Sequence, residues 1–317
     1  MQKLLLGLMA AAALAGCSKN EEGAGDPDAK SPIVFGSGIE VKAIKTGTQF
    51  ADNDEIGIYA YKGSVPASAY DGAFLRNAGF VFTSNAFGIG TDDPNADNAY
   101  WDRGQTHNFY AYYPVATTVA SATGYQLTEA TASAAPAVTV KAKAGTGIEE
   151  DLLWARLEGQ SYVAVTASGK PGLDFTHKLS RISFLVKLEA GAPACSLSNV
   201  TLSLDKDQAT LNLVSGVQAA GGAAVTLSKD VATATAVTEA GITADDFSPI
   251  VPTGASVTDL KLTINGEVIT ADVSSLGMSL AEGMITTITV TVKKSGTVFT
   301  SKIGEWTNGG TNGSTEI

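Results

Sequence analysis

Arg181-Ile182-Ser183-Phe184-Leu185-Val186-Lys187-Leu188 alternates with a period of two. Ile182, Phe184, Val186 and Leu188 fall on one side, and Arg181, Ser183 and Lys187 on the other, with Leu185 the exception. Successive side chains of a β-strand point to opposite faces. One apolar face backed by a polar one predicts a strand in a sheet that covers a core on one side only.

The same pattern recurs downstream. Val200-Thr201-Leu202-Ser203-Leu204 repeats it, and Thr287, Thr289 and Thr291 alternate with Ile288, Val290 and Val292. Lys261-Leu262-Thr263-Ile264 and Glu267-Val268-Ile269-Thr270 flank Asn265-Gly266. Asn-Gly accepts the positive φ angles of a two-residue turn, so this is a predicted hairpin. Residues 298–306 read as a last strand.

Upstream, residues 33–35 and 39–41 are short strand candidates. Residues 55–61 follow the turn Asp52-Asn53-Asp54 and make a better one. Residues 80–82, 138–141 and 162–166 read as strands too, as do residues 108–113, which Pro114 stops. Residues 152–155 read as a strand or one helical turn. No sustained helical repeat and no solenoid period occurs. Gly169-Lys170-Pro171-Gly172 punctuates the chain strongly. The expected architecture is all-β: two tandem antiparallel β-sandwich domains, residues 32–170 and 171–306, with a Gly/Asn/Thr-rich tail over 307–317.

The N-terminus has a different character. Lys3 precedes an apolar run over residues 4–15, the form of a secretory signal. That run is shorter than the roughly 20 residues a membrane-spanning helix needs. It ends in Leu14-Ala15-Gly16-Cys17, which resembles the lipobox of bacterial lipoproteins. That resemblance implies a signal peptide over 1–17, lipidation of Cys17, and a new N-terminus there. Stable attachment needs more than one acyl chain. Residues 18–31 are polar and aperiodic and read as a flexible tether. Lys19 followed by Glu21 and Glu22 resembles the signal that sends lipoproteins of Bacteroidetes to the outer face. The expected location is the cell outer membrane, lipid-anchored and surface-exposed.

The 317 residues carry a formal net charge of −11. That balance argues against nucleic acid and against anionic membrane surfaces as partners. Only two cysteines occur, so lipidation of Cys17 leaves Cys195 alone, as a small half-buried residue.

Chemistry-bearing patterns are sparse. His107 and His177 are the two histidines, lack metal-ligand spacing and read as structural residues at strand ends. No nucleophile elbow, zinc-protease pair, phosphate loop or dinucleotide fingerprint occurs. The acids cluster in turns and the tether. Asp93, Asn95 and Asp97 alternate like calcium ligands, but Asn98 and Gly104 stand where the turn glycine and the bidentate glutamate belong. No catalytic residue, cofactor or metal is expected. Trp101 with residues 109–113 is the one candidate glycan platform, and these rings read better as core.

An all-β surface protein must hide its sheet edges or use them. Segments near both ends, residues 33–41 and 298–306, are candidates for strand addition between chains.

Several segments, in order, resemble the fimbrillin-like (Mfa-like) proteins of Bacteroidales, in the type V pilin superfamily. They are Lys45-Thr46-Gly47-Thr48-Gln49-Phe50 with Asp54-Glu55-Ile56-Gly57-Ile58-Tyr59-Ala60, then Phe109-Tyr110-Ala111-Tyr112-Tyr113-Pro114. Asp151-Leu152-Leu153-Trp154-Ala155 and Phe175-Thr176-His177-Lys178-Leu179-Ser180-Arg181-Ile182-Ser183-Phe184 follow. Ile250-Val251-Pro252 and Ile303-Gly304-Glu305-Trp306 close the series. The resemblance implies transthyretin-like sandwiches and a structural or accessory fimbrial subunit that assembles by β-strand exchange and supports adhesion. It implies that a trypsin-like protease removes an early strand with the lipid, and that a strand of the next subunit fills the groove. That cut commonly follows arginine, yet no arginine precedes Arg76. Lys42 and Lys45 are therefore the candidate processing sites. The implied partners are other fimbrial subunits, as homo- or hetero-polymer, and the outer membrane through the anchor; a host or bacterial surface receptor is left open. The alternative is a monomeric surface-anchored adhesin that binds glycan or protein without polymerising.

Overall fold

In the computed structural model, residues 30–36, 50–64, 69–121, 124–164, 169–243, 247–294 and 296–305 are described. Almost all of their regular structure is β. The largest sheet has seven strands, in the order β1 (Val34–Gly36), β4 (Ala86–Ile89), β3 (Leu75–Thr83), β2 (Glu55–Lys62), β5 (Thr106–Tyr113), β8 (Leu153–Ser161) and β9 (Thr176–His177). Every pairing in it is antiparallel.

Both faces of this sheet are buried, and they carry different rings. Ile56, Ile58 and Ala60 of β2 and Phe109, Ala111 and Tyr113 of β5 enter one core with Phe35, Phe80 and Phe87. The opposite face presents Tyr59, Tyr61, Tyr110 and Tyr112 to a second core. Tyrosine suits that face because each hydroxyl reaches a partner at the rim. Tyr59 donates to Glu129 and Tyr110 to Glu158, both at 2.7 Å, and Tyr61 donates to the Tyr70 carbonyl at 2.8 Å.

A second sheet covers the tyrosines. Its order is β13 (Gln218–Gly221), β12 (Gln208–Asn212), β7 (Ala137–Lys141) and β6 (Tyr125–Thr128). Val138, Val140, Tyr125, Leu127, Ala209 and Leu211 fill the space between the two sheets. Strands from both sides of Lys170 build these sheets: β9 pairs with β8, and β12 pairs with β7.

The remaining strands form a sheet-on-sheet sandwich. One layer runs β15 (Ile242–Thr243), β10 (Ser180–Leu188), β19 (Met284–Lys293), β20 (Gly296–Glu305), with β16 (Ile250–Val251) also on β10. The other runs β14 (Val225–Ala236), β11 (Ser196–Leu204), β17 (Val257–Ile264), β18 (Glu267–Thr270). Ile182, Phe184 and Val186 meet Val200, Leu202, Leu260 and Leu262 in the third core. The expected face of β10 is thus the core face. Leu185, the exception, lies opposite Thr243, and its side chain packs against Gly241 in the turn that leads into β15.

Asn265 and Gly266 have φ of 50° and 82° and join β17 to β18 as expected. Two expectations are corrected. Residues 162–164 form a helical turn rather than the start of a strand. The Ser161 hydroxyl accepts the Ala164 N–H at 3.3 Å, which caps a helical start and ends β8. The sandwich is also not wholly antiparallel, since β10 and β19 run parallel. The long connection through the facing layer returns the chain to the same end, as a parallel pairing requires. The expected strand over 39–41 lies outside the described residues.

Candidate functional site

Strand addition needs a slot, and β1 occupies one. Ile33 and Phe35 point to the phenylalanine core and are fully buried, while Val34 faces the other way. Phe35 sits 5.1 Å from the Phe109 ring, edge-on, and 5.5 Å from that of Phe80. On one flank β1 pairs with β4, with Val34 opposite Gly88, Phe35 opposite Phe87 and Gly36 opposite Ala86. The Ile33 N–H, just before β1, donates to the Ala99 carbonyl at 2.9 Å, and on the other flank the Gly36 N–H donates to the Pro171 carbonyl at 3.0 Å. A three-residue strand is thus bonded on both edges and plugs an aromatic core.

The second flank is itself anchored. Gly36 bridges Gly172, and Leu173 and Phe175 run on into the phenylalanine core toward β9. In β9, His177 lies opposite Leu153, and the Lys178 N–H donates to Leu152 at 2.8 Å. The buried His177 Nδ1 contacts the buried Asp151 Oδ2. Burial pushes the Asp151 carboxyl above the usual aspartate value, and the hydrogen bond to His177 opposes that rise. Lys178 pairs with Glu282 and lies 4.8 Å over the Trp154 ring. The segment behind β1 is therefore held by a buried His–Asp contact and a buried lysine.

The other candidate edge differs. β20 pairs with β19 along its whole length and ends its layer, with no second neighbour among the described residues. Val298 and Ile303 are exposed on it. The sequence singles out both segments, yet only the structure separates a plugged slot from an open edge.

The remaining sequence candidates sort as follows. Cys17, Lys42 and Lys45 lie outside the described residues. Cys195 is buried in the third core. Trp101 and the ring-bearing residues from Phe109 to Tyr113 are buried, so they offer no exposed platform. Asp93 accepts the Gly79 N–H at 2.6 Å and the Asn95 N–H at 2.7 Å, and Asn95 accepts the Arg76 N–H at 3.1 Å. These oxygens fasten a loop to β3. Among the described residues, no group of three or more His, Cys, Asp or Glu is placed to hold a metal ion, and no helix is long and apolar enough to cross a membrane.

His107 packs among rings, 5.1 Å from Trp101 and stacked on Phe109, and its Nε2 accepts the Asp102 N–H at 3.3 Å. Burial, reinforced by Lys62, lowers its proton affinity below the usual value of 6.5. The unfolded chain then binds this proton more readily than the folded one. Stability is complete above pH 6.5 and falls as the pH drops below it toward the lowered folded value. His107→Phe is expected to flatten that part of the profile, read from urea midpoints at about pH 7.5 and about pH 5. An unchanged slope would remove His107 as its source.

The sequence profile of the fimbrillin-like family matches residues 42–306. The chain belongs to the fimbrillin-like family. A curated relative from Bacteroides uniformis, named "Putative fimbrium subunit Fim1C", is 28% identical over 329 aligned positions, covering 99% of this chain and 98% of the relative. Among solved structures, a "putative cell adhesion protein" from Bacteroides ovatus aligns with a TM-score of 0.60 at 20% identity, covering 88% of this chain and 98% of that one. A "fimbrial protein" from Bacteroides vulgatus aligns with a TM-score of 0.54 at 17% identity, covering 80% and 94%. At those identities the structural likeness speaks for the fold alone. The fimbrillin-like profile begins at Lys42, one of the two lysines between β1 and the rest of the chain.

Proposed function

We propose that this chain is a non-catalytic fimbrial subunit that supports adhesion and assembles by strand exchange at the β1 slot. In this reading Cys17 carries the lipid that tethers the precursor to the outer face of the outer membrane. Cleavage after Lys42 or Lys45 then separates β1 and the lipid from the body. A strand of a neighbouring subunit takes the place of β1. The two sandwiches divide near residues 170–171 in the sequence, with residues 173–177, including β9, and the β12–β13 hairpin both built into the first of them across that division. The family assignment and the fimbrium-subunit relative support the role.

One observation carries the mechanism. β1 is short, hydrogen-bonded on both edges, and with Ile33 just before it places two fully buried side chains into an otherwise complete core. Removing such a strand exposes two rows of backbone groups and two apolar sockets, which a new strand can satisfy together.

Limited trypsin treatment of residues 18–317, followed by native mass spectrometry, tests this reading. The expected result is a cut after Lys42 or Lys45, with the released piece held non-covalently and displaced by an excess of a peptide spanning residues 30–42. Cuts confined to Lys19 and Lys30, or a piece that no peptide displaces, would favour the monomeric anchored adhesin.

A further inference from the structure

Resting on the strand-exchange reading, we infer that the slot selects a strand with a branched aliphatic residue two positions before an aromatic one, followed at once by glycine, and that this strand belongs to a different kind of subunit, not to a second copy of this chain. Three features of the slot set the pattern. Ile33 and Phe35 are fully buried on the same face, so the sockets are two residues apart. The second is ring-shaped, walled by Phe80 and Phe109. At the next position a Cβ on Gly36 would lie 3.1 Å from the Lys170 Cβ and 3.4 Å from its carbonyl oxygen, while the Gly36 N–H is engaged by Pro171. A side chain there pushes against backbone that cannot withdraw without breaking that bond.

The chain's own C-terminal part does not supply this pattern. After Phe184 its aromatic residues are Phe247, Phe299 and Trp306. The residues two positions before them are Asp245, Thr297 and Gly304, and two positions after them are Pro249, Ser301 and Asn308. None is a branched aliphatic, so neither direction of insertion fills both sockets. Val298 and Ile303 of β20 are five positions apart, an odd spacing that puts them on opposite faces of a strand. Seating Ile303 in the aliphatic socket would bring Glu305 to the aromatic one, a carboxylate against rings. Ile33-Val34-Phe35-Gly36 itself carries the pattern but leaves with the lipid on cleavage; elsewhere the aliphatic–aromatic spacing recurs at Leu152 with Trp154, Leu173 with Phe175, and Ile182 with Phe184. Ala155, Thr176 and Leu185 follow these pairs, and none is glycine.

The test uses the chain without its signal and lipidated cysteine, residues 18–317, with a specific protease site substituted within 37–49 and cut after folding. Three labelled peptides are offered: residues 30–42, the same peptide with I33A and F35A, and residues 294–306. The expected result is that the first binds at least tenfold more tightly than either of the others, and that the cut chain alone stays monomeric. Equal binding of the 294–306 peptide, or self-polymerisation of the cut chain, overturns the inference while leaving strand exchange standing. If no peptide enters and residues 18–36 are never released, strand exchange itself fails and the inference falls with it.

Discussion

Phe35→Ala is expected to destabilise the intact chain by about 3–5 kcal/mol, the range for deleting a buried aromatic ring. The ring is fully buried between Phe80 and Phe109, and its strand is bonded on both edges, so the backbone cannot collapse into the void. Val34→Ala, one residue away and half-buried on the opposite face, should cost far less. The contrast separates a plugged socket from a loosely laid terminal strand. Guanidinium denaturation of residues 18–317 reads it directly. Equal, small losses at both positions would mean that β1 contributes little to the core.

Asp151→Ala ranks beside it, at about 3–5 kcal/mol, because removing one member of a buried pair strands the other. Asp151 and His177 are both buried, and the contact fixes β9 against the start of β8. Asp151→Asn keeps an acceptor for the imidazole and should recover much of the loss. The effect should also spread. β9 anchors the 171–175 segment, and Pro171 holds Gly36, so Asp151→Ala should hasten loss of β1 after cleavage. A loss below about 1 kcal/mol would show that the pair contributes no more than an exposed one does.

Strands with one wet face were legible in the sequence. β10, β11 and β19 alternate because one side meets the third core and the other meets water. The 261–270 hairpin was legible because only a few residue pairs accept its turn angles. β3 was read short, as residues 80–82, because Gly79 interrupts its pattern. The glycine leaves room for the Glu55 carboxylate, which would have to swing aside for a Cβ there. β12, β13 and β14 are rich in Ala, Gly, Thr and Ser and carry little hydrophobic signal, so they passed unread. Their placement comes from long-range pairing, which no local pattern records.

For the candidate site, the sequence marked residues 33–35 as a strand and as an edge candidate. It could not show that β1 is flanked on both sides. The second flank comes from Pro171, remote in the chain, in a segment that carries no strand pattern. The pairing of His177 with Asp151 was hidden for the same reason, although both residues lie in segments that the family resemblance picks out.

Amide hydrogen exchange at β4 tests the central claim most directly. The amides of Ala86–Ile89 that face β1 are predicted to be protected in the intact chain. They should lose protection once residues 18–42 have been cut away and washed off, and regain it when the peptide of residues 30–42 is added. Protection that stays unchanged through all three states would contradict the account, because the slot would then be neither opened nor refilled.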